Sequence, residues 1–243
     1  MQITAPIVSV AWLAEHLGSP DLVVLDASID SPGTTADQAV GERQQIPGSR
    51  VFDLKKDFSD NEASLPHMMP DSERFTSAAR ALGIGASSTI VVYDRKGVYS
   101  SPRAWWMFRA MGHSQVAVLD GGFPEWLRAC AATEARVAGS ELPTPGDFSA
   151  HPQEAFFCDG SAVSEALARE DQIVLDARSP DRFFARVKEP RAKMRAGHMP
   201  GARNMPWNLV QEAGRMRSAK ELAALFDALG RQKPLIMSLT LIH

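Results

Sequence analysis

Short apolar runs alternate with amphipathic segments along this chain. Apolar runs rich in β-branched residues predict buried strands at 22–25, 90–93, 116–119, 173–175 and 234–237. Apolar residues at helical spacing predict helices within 72–82, 102–111, 123–130, 161–168 and 218–229. Parallel strands need crossover connections, which are usually helical. The alternation therefore predicts an α/β fold of parallel sheets covered by helices on both faces.

Several residues predict where these helices begin and end. Pro102 favours a helix start, and Gly83 can end the helix that begins after Asp71. Ser161 is a plausible N-cap. Ser218 and Glu221 have the spacing of a capping box, in which each side chain binds the other residue's backbone N–H.

The sequence contains two copies of one unit. Three segments recur in the same order: residues 24–27 at 174–177, Pro47-Gly48 at Pro200-Gly201, and residues 81–83 at 228–230. The offsets are close to one another and too long for a solenoid. We therefore expect a first domain at 1–140, a linker at 141–152 that is rich in proline and glycine, and a second domain at 153–243.

Composition excludes several classes of protein. With 44% hydrophobic and 23% charged residues, the 243-residue chain has the balance of a soluble globular protein. A net charge of -3 argues against nucleic acid as a partner, and no apolar run is long enough to span a membrane. The N-terminus lacks the pattern of a signal peptide. Two cysteines make no disulfide framework and favour a cytoplasmic location, and the histidines lack metal-ligand spacing.

Six motifs carry a resemblance to a known family. They are Leu-Pro-His-Met at 65–68, Ser-Pro-Arg-Ala-Trp-Trp-Met-Phe at 101–108, Val-Leu-Asp-Gly-Gly-Phe at 118–123, Leu-Asp-Ala-Arg at 175–178, Glu-Pro-Arg at 189–191 and Gly-His-Met-Pro-Gly-Ala at 197–202. On these motifs the chain resembles the tandem-domain rhodanese family, the thiosulfate and 3-mercaptopyruvate sulfurtransferases. The resemblance implies two rhodanese-like domains, the first non-catalytic.

The resemblance also implies a reaction and its partners. In the family a cysteine thiolate of the second domain takes sulfur from a small anionic donor, and a thiol or cyanide removes it, without metal or organic cofactor. The cysteine position here is occupied by Leu239, and the residues after it do not match the family's loop. One strand and two helices of the first copy have no counterpart in the second. We therefore expect no catalytic residue, little turnover and a C-terminally truncated second domain.

Three residues match the family's substrate-binding positions. Arg182 and Arg191 match arginines that bind the donor's carboxylate or sulfonate, groups that suit a guanidinium fork. The alternative for both is a solvated basic surface. His67 matches a first-domain histidine near the family's active site, and its alternative is a packing or surface residue.

Other residues are expected to have structural roles. Asp94 aligns with Leu239; its carboxylate cannot form a persulfide and would repel an anionic donor, so we expect it to be structural or solvent-facing. Cys130 and Cys158 lack a glycine-bearing loop and are expected to be bystander thiols. The helical spacing of Trp105, Trp106, Phe108 and Met111 indicates core positions.

Three functional hypotheses stay open at this point. The first is a catalytically impaired sulfurtransferase, and the second is a non-catalytic rhodanese-domain protein that binds or regulates a partner. The third is a truncated or frame-shifted product. A phosphatase is a weaker alternative, because it would also need the cysteine. The sequence leaves the identity of the donor and the oligomeric state open.

Overall fold

The structure, a computed structural model, describes residues 2–29, 44–63, 65–129, 131–136, 143–169, 172–189, 195–230 and 233–238. The chain divides into two compact units. The first comprises Met1–Phe156 and Ala213–Arg215, and the second comprises Phe157–Glu212 and Met216–His243.

Up to residue 156, the described chain alternates short strands and helices. In chain order they are β1 (Ile7–Val8), α1 (Val10–His16), β2 (Leu22–Asp26), β3 (Gln44–Gln45), β4 (Arg50–Val51), α2 (Ser72–Ala81), β5 (Thr89–Tyr93), α3 (Ser101–Ala110), β6 (Val116–Leu119), α4 (Gly122–Arg128), β7 (Glu134–Ala135) and a 3-10 helix (Glu154–Phe156). Five strands form a parallel sheet in the order β1-β6-β5-β2-β4, and β3 pairs antiparallel with β7.

Successive residues of the central strands point to opposite faces of this sheet, as strand geometry requires. On one face Val23 and Ile90 pack in a core with Phe75 of α2 and Phe108 of α3. The opposite face carries a second core, whose members from β2, β5, α1 and α4 include Val24, Val91, Tyr93, Leu13 and Trp126. Helices therefore cover both faces, which confirms the predicted α/β class.

The aromatic helix α3 contributes to the first of these cores. Phe108 and Met111 are buried, and Trp105 and Trp106 are partly buried against the same cluster. The indole N–H of Trp105 donates to the carbonyl of Val116 at 3.0 Å. The prediction that these four side chains are core residues is confirmed.

The elements after residue 156 repeat the order of the first copy. They are α5 (Gly160–Arg169), β8 (Ile173–Asp176), α6 (Pro180–Phe183), β9 (Arg203–Asn204), a 3-10 helix (Trp207–Val210), β10 (Gln211–Glu212), β11 (Arg215–Met216), α7 (Ala219–Ala228) and β12 (Leu235–Ser238). Strands β12, β8 and β9 form a parallel sheet in that order, and β10 pairs with β11. Leu235 and Met237 of β12 are exposed.

Strand register supports the internal repeat. Val23 pairs with Ile90 in the first sheet, and Ile173, 150 positions after Val23, pairs with Leu235 in the second. The register therefore matches the sequence alignment of Ile90 with Leu235. Both copies also contain a turn of the type II pattern, because Gly48 and Gly201 have positive φ angles of 70° and 88° at the third turn position. The turns are closed by Ser49 N–H, which donates to the Ile46 carbonyl, and Ala202 N–H, which donates to the Met199 carbonyl, each at 3.0 Å.

Most of the helix ends in the structure agree with the ends predicted from the sequence. Ser218 and Glu221 form the predicted capping box, and Pro102 lies in the first turn of α3. The predicted N-cap at Ser161 is wrong. Helix α5 begins at Gly160, and the carboxylate of Asp159 accepts from Ala162 N–H at 2.8 Å. Asp159, directly before the first helical residue, therefore caps the helix in place of Ser161.

His113 gives the first unit a pH-dependent stability. Its ring is buried between Phe108 and Phe148, and Nε2 donates to the carbonyl of Ser88 at 2.8 Å. Burial lowers the pKa of His113, while hydrogen bonds to the carbonyls of Ser88 and Gln115 oppose that shift. The folded state therefore keeps the ring neutral at a pH where the unfolded chain protonates it.

We expect the free energy of unfolding to fall as pH drops below about 6.5, the pKa of an unfolded histidine, until the pH reaches the lower folded pKa. His113 alone can change the free energy of unfolding by at most about 1.4 kcal/mol per pH unit. Denaturant titrations of the wild type and His113→Gln between neutral and mildly acidic pH would measure it. Equal slopes in both proteins would show that His113 does not cause the loss.

Candidate functional site

A network of charged side chains lies at the carboxyl end of β8. Asp176 ends this strand, and the backbone N–H of Arg178 donates to its carboxylate at 2.9 Å. The Arg178 guanidinium also binds Asp176, through Nε at 3.0 Å and Nη2 at 2.5 Å. Its Nη2 donates to the carbonyl of Gly197 at 2.7 Å. Arg178 therefore joins the end of β8 to the loop that contains Gly197.

Glu189 connects Arg178 to Arg182. Arg178 Nη1 donates to one Glu189 oxygen at 3.0 Å. Arg182, in α6, donates to the other through Nε at 3.2 Å and Nη2 at 2.5 Å. A carboxylate that accepts from two guanidinium groups holds both of them in a defined orientation.

The two arginines of this network differ in exposure. The side chain of Arg178 is 1% exposed and that of Glu189 is 2% exposed, whereas the Arg182 side chain is 30% exposed. Within residues 172–189 and 195–230, no hydrogen bond involves Arg182 Nη1. Arg178 is thus enclosed within the network, whereas part of the Arg182 guanidinium is accessible to solvent.

Hydrogen bonding stabilises the charged forms in this network. The bonds to Asp176 raise the pKa of Arg178, although its burial opposes the shift. The bonds from Arg182 lower the pKa of Glu189, with further contributions from Arg178. Arg178 and Glu189 are therefore both charged at neutral pH.

Two apolar side chains that follow Arg182 in the sequence are exposed. They are Phe184 and Val187, and the Arg186 guanidinium lies over the Phe184 ring, 5.1 Å from its centroid. His198 stacks on Phe183 with 3.7 Å between ring centroids, and its Nδ1 donates to the Phe183 carbonyl at 2.9 Å. The segment that carries Arg182 is therefore anchored through Phe183.

His67 belongs to the first unit and has an unusual backbone conformation. Its φ is 61°, in the left-handed region, and its ring is half-buried. The carbonyl of His67 accepts from Arg103 Nη2 at 3.0 Å, and burial lowers the pKa of the Arg103 guanidinium. This bond holds the backbone of His67, so the histidine lies on a supported turn.

Asp94 follows β5 and is 1% exposed. Of the two alternatives expected for Asp94, structural or solvent-facing, the structure supports the first, because the backbone of residues 96–101 closes around its carboxylate. Cys158 is exposed and forms no disulfide among the described residues. Arg191, Cys130 and Leu239 lie outside the described residues.

A family model and individual relatives both place this chain among the same group of proteins. Residues 9–129 match the model of the rhodanese-like domain. The chain is 38% identical to 3-mercaptopyruvate sulfurtransferase of Escherichia coli (strain K12) over 93% of its length and 81% of the relative's. It is 36% identical to 3-mercaptopyruvate sulfurtransferase of Homo sapiens, over 97% of this chain and 81% of that one. The chain belongs to the rhodanese family of sulfurtransferases.

A solved structure agrees with this rhodanese assignment. The crystal structure of an Escherichia coli 3-mercaptopyruvate sulfurtransferase superposes with a TM-score of 0.84 at 35% identity, covering 98% of this chain and 89% of that one. In the described part of this rhodanese-family chain, no helix is long and apolar enough to cross a membrane. The same residues contain no group of three or more acidic, histidine or cysteine side chains placed to hold a metal ion.

The sequence predicted Arg182 as a site residue and missed the other three members of the network that holds it. Asp176 and Arg178 appear in a rhodanese motif, and Glu189 begins another, yet none was predicted as a site residue. A signal was present, because Asp176 ends an apolar strand and an arginine follows two residues later. The sequence could not tell which of Arg178 and Arg182 is buried, since both precede Glu189 in one polar segment.

Proposed function

We propose that this chain binds a small anionic sulfur donor of the 3-mercaptopyruvate or thiosulfate class through Arg182, with Arg191 and His67 as further contributors. The observation that carries the proposal is the Arg182 guanidinium, which Glu189 orients while its side chain stays 30% exposed. A preorganised guanidinium binds a carboxylate or sulfonate through two parallel hydrogen bonds at little entropic cost. The donor class comes from the names of the relatives.

Arg182 is a better candidate than its neighbours. Every nitrogen of the Arg178 guanidinium already has a carboxylate or carbonyl partner, and the side chain is buried. Arg186 is exposed, and the carboxylate of Asp181, its ion-pair partner among the described residues, is 3.5 Å away. Arg182 combines a fixed orientation with access to solvent, which an anion site requires.

We further propose that this polypeptide does not transfer sulfur at the family's usual position. The reaction needs a thiolate that attacks the outer sulfur of the donor and then passes it to a thiol or cyanide. Residue 239 is leucine, whose side chain has no lone pair to form a persulfide. The division into 1–140 as a non-catalytic rhodanese-like domain, 141–152 as a linker and 153–243 as a second rhodanese-like domain forms part of this proposal.

Calorimetry with 3-mercaptopyruvate, run beside an assay of sulfide and thiocyanate release, tests both parts. We expect saturable binding that Arg182→Ala weakens by roughly tenfold or more, because a charge-assisted pair contributes about 1.5–3 kcal/mol. Thiosulfate is the second donor to compare. We expect sulfur release no faster than that of a Cys130→Ser/Cys158→Ser double variant.

Arg186→Ala is the matched control, because it removes a nearby exposed guanidinium and should leave donor affinity within about twofold. Equal affinity in the wild type and Arg182→Ala would refute the donor site. Release above the level of the double serine variant would instead show that a remaining thiol performs the chemistry, and the assignment of position 239 would be wrong.

A further inference from the structure

The loop between β5 and α3 closes around the carboxylate of Asp94. One oxygen, Oδ1, accepts from Lys96 N–H at 2.9 Å. The other, Oδ2, accepts from the N–H groups of Tyr99, Ser100 and Ser101 at 2.8, 2.9 and 2.9 Å, and from the Ser101 hydroxyl at 2.7 Å. Five donors therefore converge on one buried carboxylate.

No lysine or arginine side chain forms a salt bridge with Asp94 within the described residues. Its negative charge is stabilised by backbone N–H groups, one hydroxyl and the N-terminal end of α3, a helix of ten residues. Convergent backbone donors at a helix N-terminus are the arrangement with which proteins bind external anions. The chemistry of this loop is thus that of an anion site.

An ordinary helix cap does not explain the arrangement. The N-cap of α3 is Ser100, and its side chain makes no capping hydrogen bond, whereas Asp94 lies seven positions before Ser101 at the end of a strand. The contrast with α2 is direct, since the side chain of its N-cap, Asp71, accepts from the single backbone N–H of Arg74.

The Ser100 hydroxyl is a second and independent indication. Ser100 is 5% exposed, and among the described residues its hydroxyl has no hydrogen-bond partner. A buried hydroxyl without a partner costs free energy, so such groups often mark a site that a further ligand atom completes. This hydroxyl belongs to a residue whose backbone N–H already binds the Asp94 carboxylate.

We propose that residues 94–101 form a binding site for a small carboxylate or similar oxyanion, and that the Asp94 side chain fills this site in the present chain. The first unit would then contain an anion site that is blocked from within. None of these residues belongs to the proposed donor site around Arg182, and anion binding by residues 94–101 does not depend on sulfur transfer.

Formate tests the proposal, because it replaces the carboxylate that Asp94→Ala removes. We expect formate to raise the thermal midpoint of the full-length Asp94→Ala variant saturably, by about 3 °C or more relative to chloride at equal ionic strength. The wild type, whose site is filled, should show no such rise. Asp71→Ala is the matched control, because it exposes a helix N-terminus without the other donors. A formate effect no larger in Asp94→Ala than in Asp71→Ala would overturn the proposal.

A second variant decides the matter if Asp94→Ala does not fold. Asp94→Cys, made in the Cys130→Ser/Cys158→Ser background, places a titratable thiol among the same donors. We expect the pKa of that thiol to lie at least about one unit below the 8.5 of a free cysteine, because the donors stabilise the thiolate. Ultraviolet absorbance of the thiolate against pH measures the value. A pKa at or above that of a free thiol would overturn the proposal.

Discussion

Replacing Arg178 with methionine is expected to destabilise the second unit by about 3–5 kcal/mol, the cost of leaving buried charge without its partner. Asp176 and Glu189 are both buried, and Arg178 donates to each. In Arg178→Met, Asp176 loses its guanidinium partner and Glu189 keeps only Arg182. Native-state hydrogen exchange of the β8 amides would measure the lost free energy of opening.

The control for this experiment is Arg186→Met. Arg186 and Asp181 are exposed and 3.5 Å apart, so the variant should change the opening free energy by no more than about 0.5 kcal/mol. Glu189→Gln in the Arg178→Met background tests the pairing itself. It should cost less there than in the wild type, since one of the two cations has already been removed. Equal costs in both backgrounds would contradict the network.

Replacing Gly122 with alanine should destabilise the first unit by about 3 kcal/mol, the sum of a left-handed backbone and a steric clash. The φ of Gly122 is +53°, and an added Cβ would lie 2.4 Å from the carbonyl oxygens of both Asp94 and Gly97. Neither oxygen belongs to a flexible side chain, so the loop of residues 94–101 must shift. Denaturant unfolding followed by tryptophan fluorescence would measure the loss.

Gly18→Ala separates the cost of the left-handed backbone from the cost of the steric clash. Its φ is +91°, also in the left-handed region, but no atom lies within 4 Å of an added Cβ. This variant should therefore lose only about 1–2 kcal/mol, the backbone cost alone. Equal destabilisation by the two substitutions would mean that Gly122 does not support the loop.

The central strands and their parallel arrangement were predictable from the sequence. The apolar runs at 22–25, 90–93 and 116–119 became neighbouring parallel strands, because continuous β-branched runs are stable only when both faces are covered. The repeat of residues 24–27 at 174–177 aligned Ile90 with Leu235, and in the structure β8 pairs with β12 as β2 pairs with β5. A short-range apolar pattern is enough to predict a strand when consecutive residues of that strand are all buried.

The chemistry at the strand ends was less predictable. Asp159 replaced Ser161 as the cap of α5, because the helix began one residue earlier and both side chains can accept the same kind of bond. Asp94 had two sequence interpretations, structural or solvent-facing. The choice depended on whether the loop to α3 closed around the carboxylate, and that closure involves the backbone at Gly122, well beyond the loop.

The sequence by itself determined the family, the α/β class, the repeated unit and the leucine at position 239. Only the tertiary structure decided that Arg178 is buried in a network, that Arg182 is accessible, and that Asp94 is enclosed by five donors. Hydrophobic periodicity is a local property that any correct fold must satisfy. The exposure and partners of a charged side chain depend instead on which distant segments reach it, and the spacing of residues along the chain does not record that.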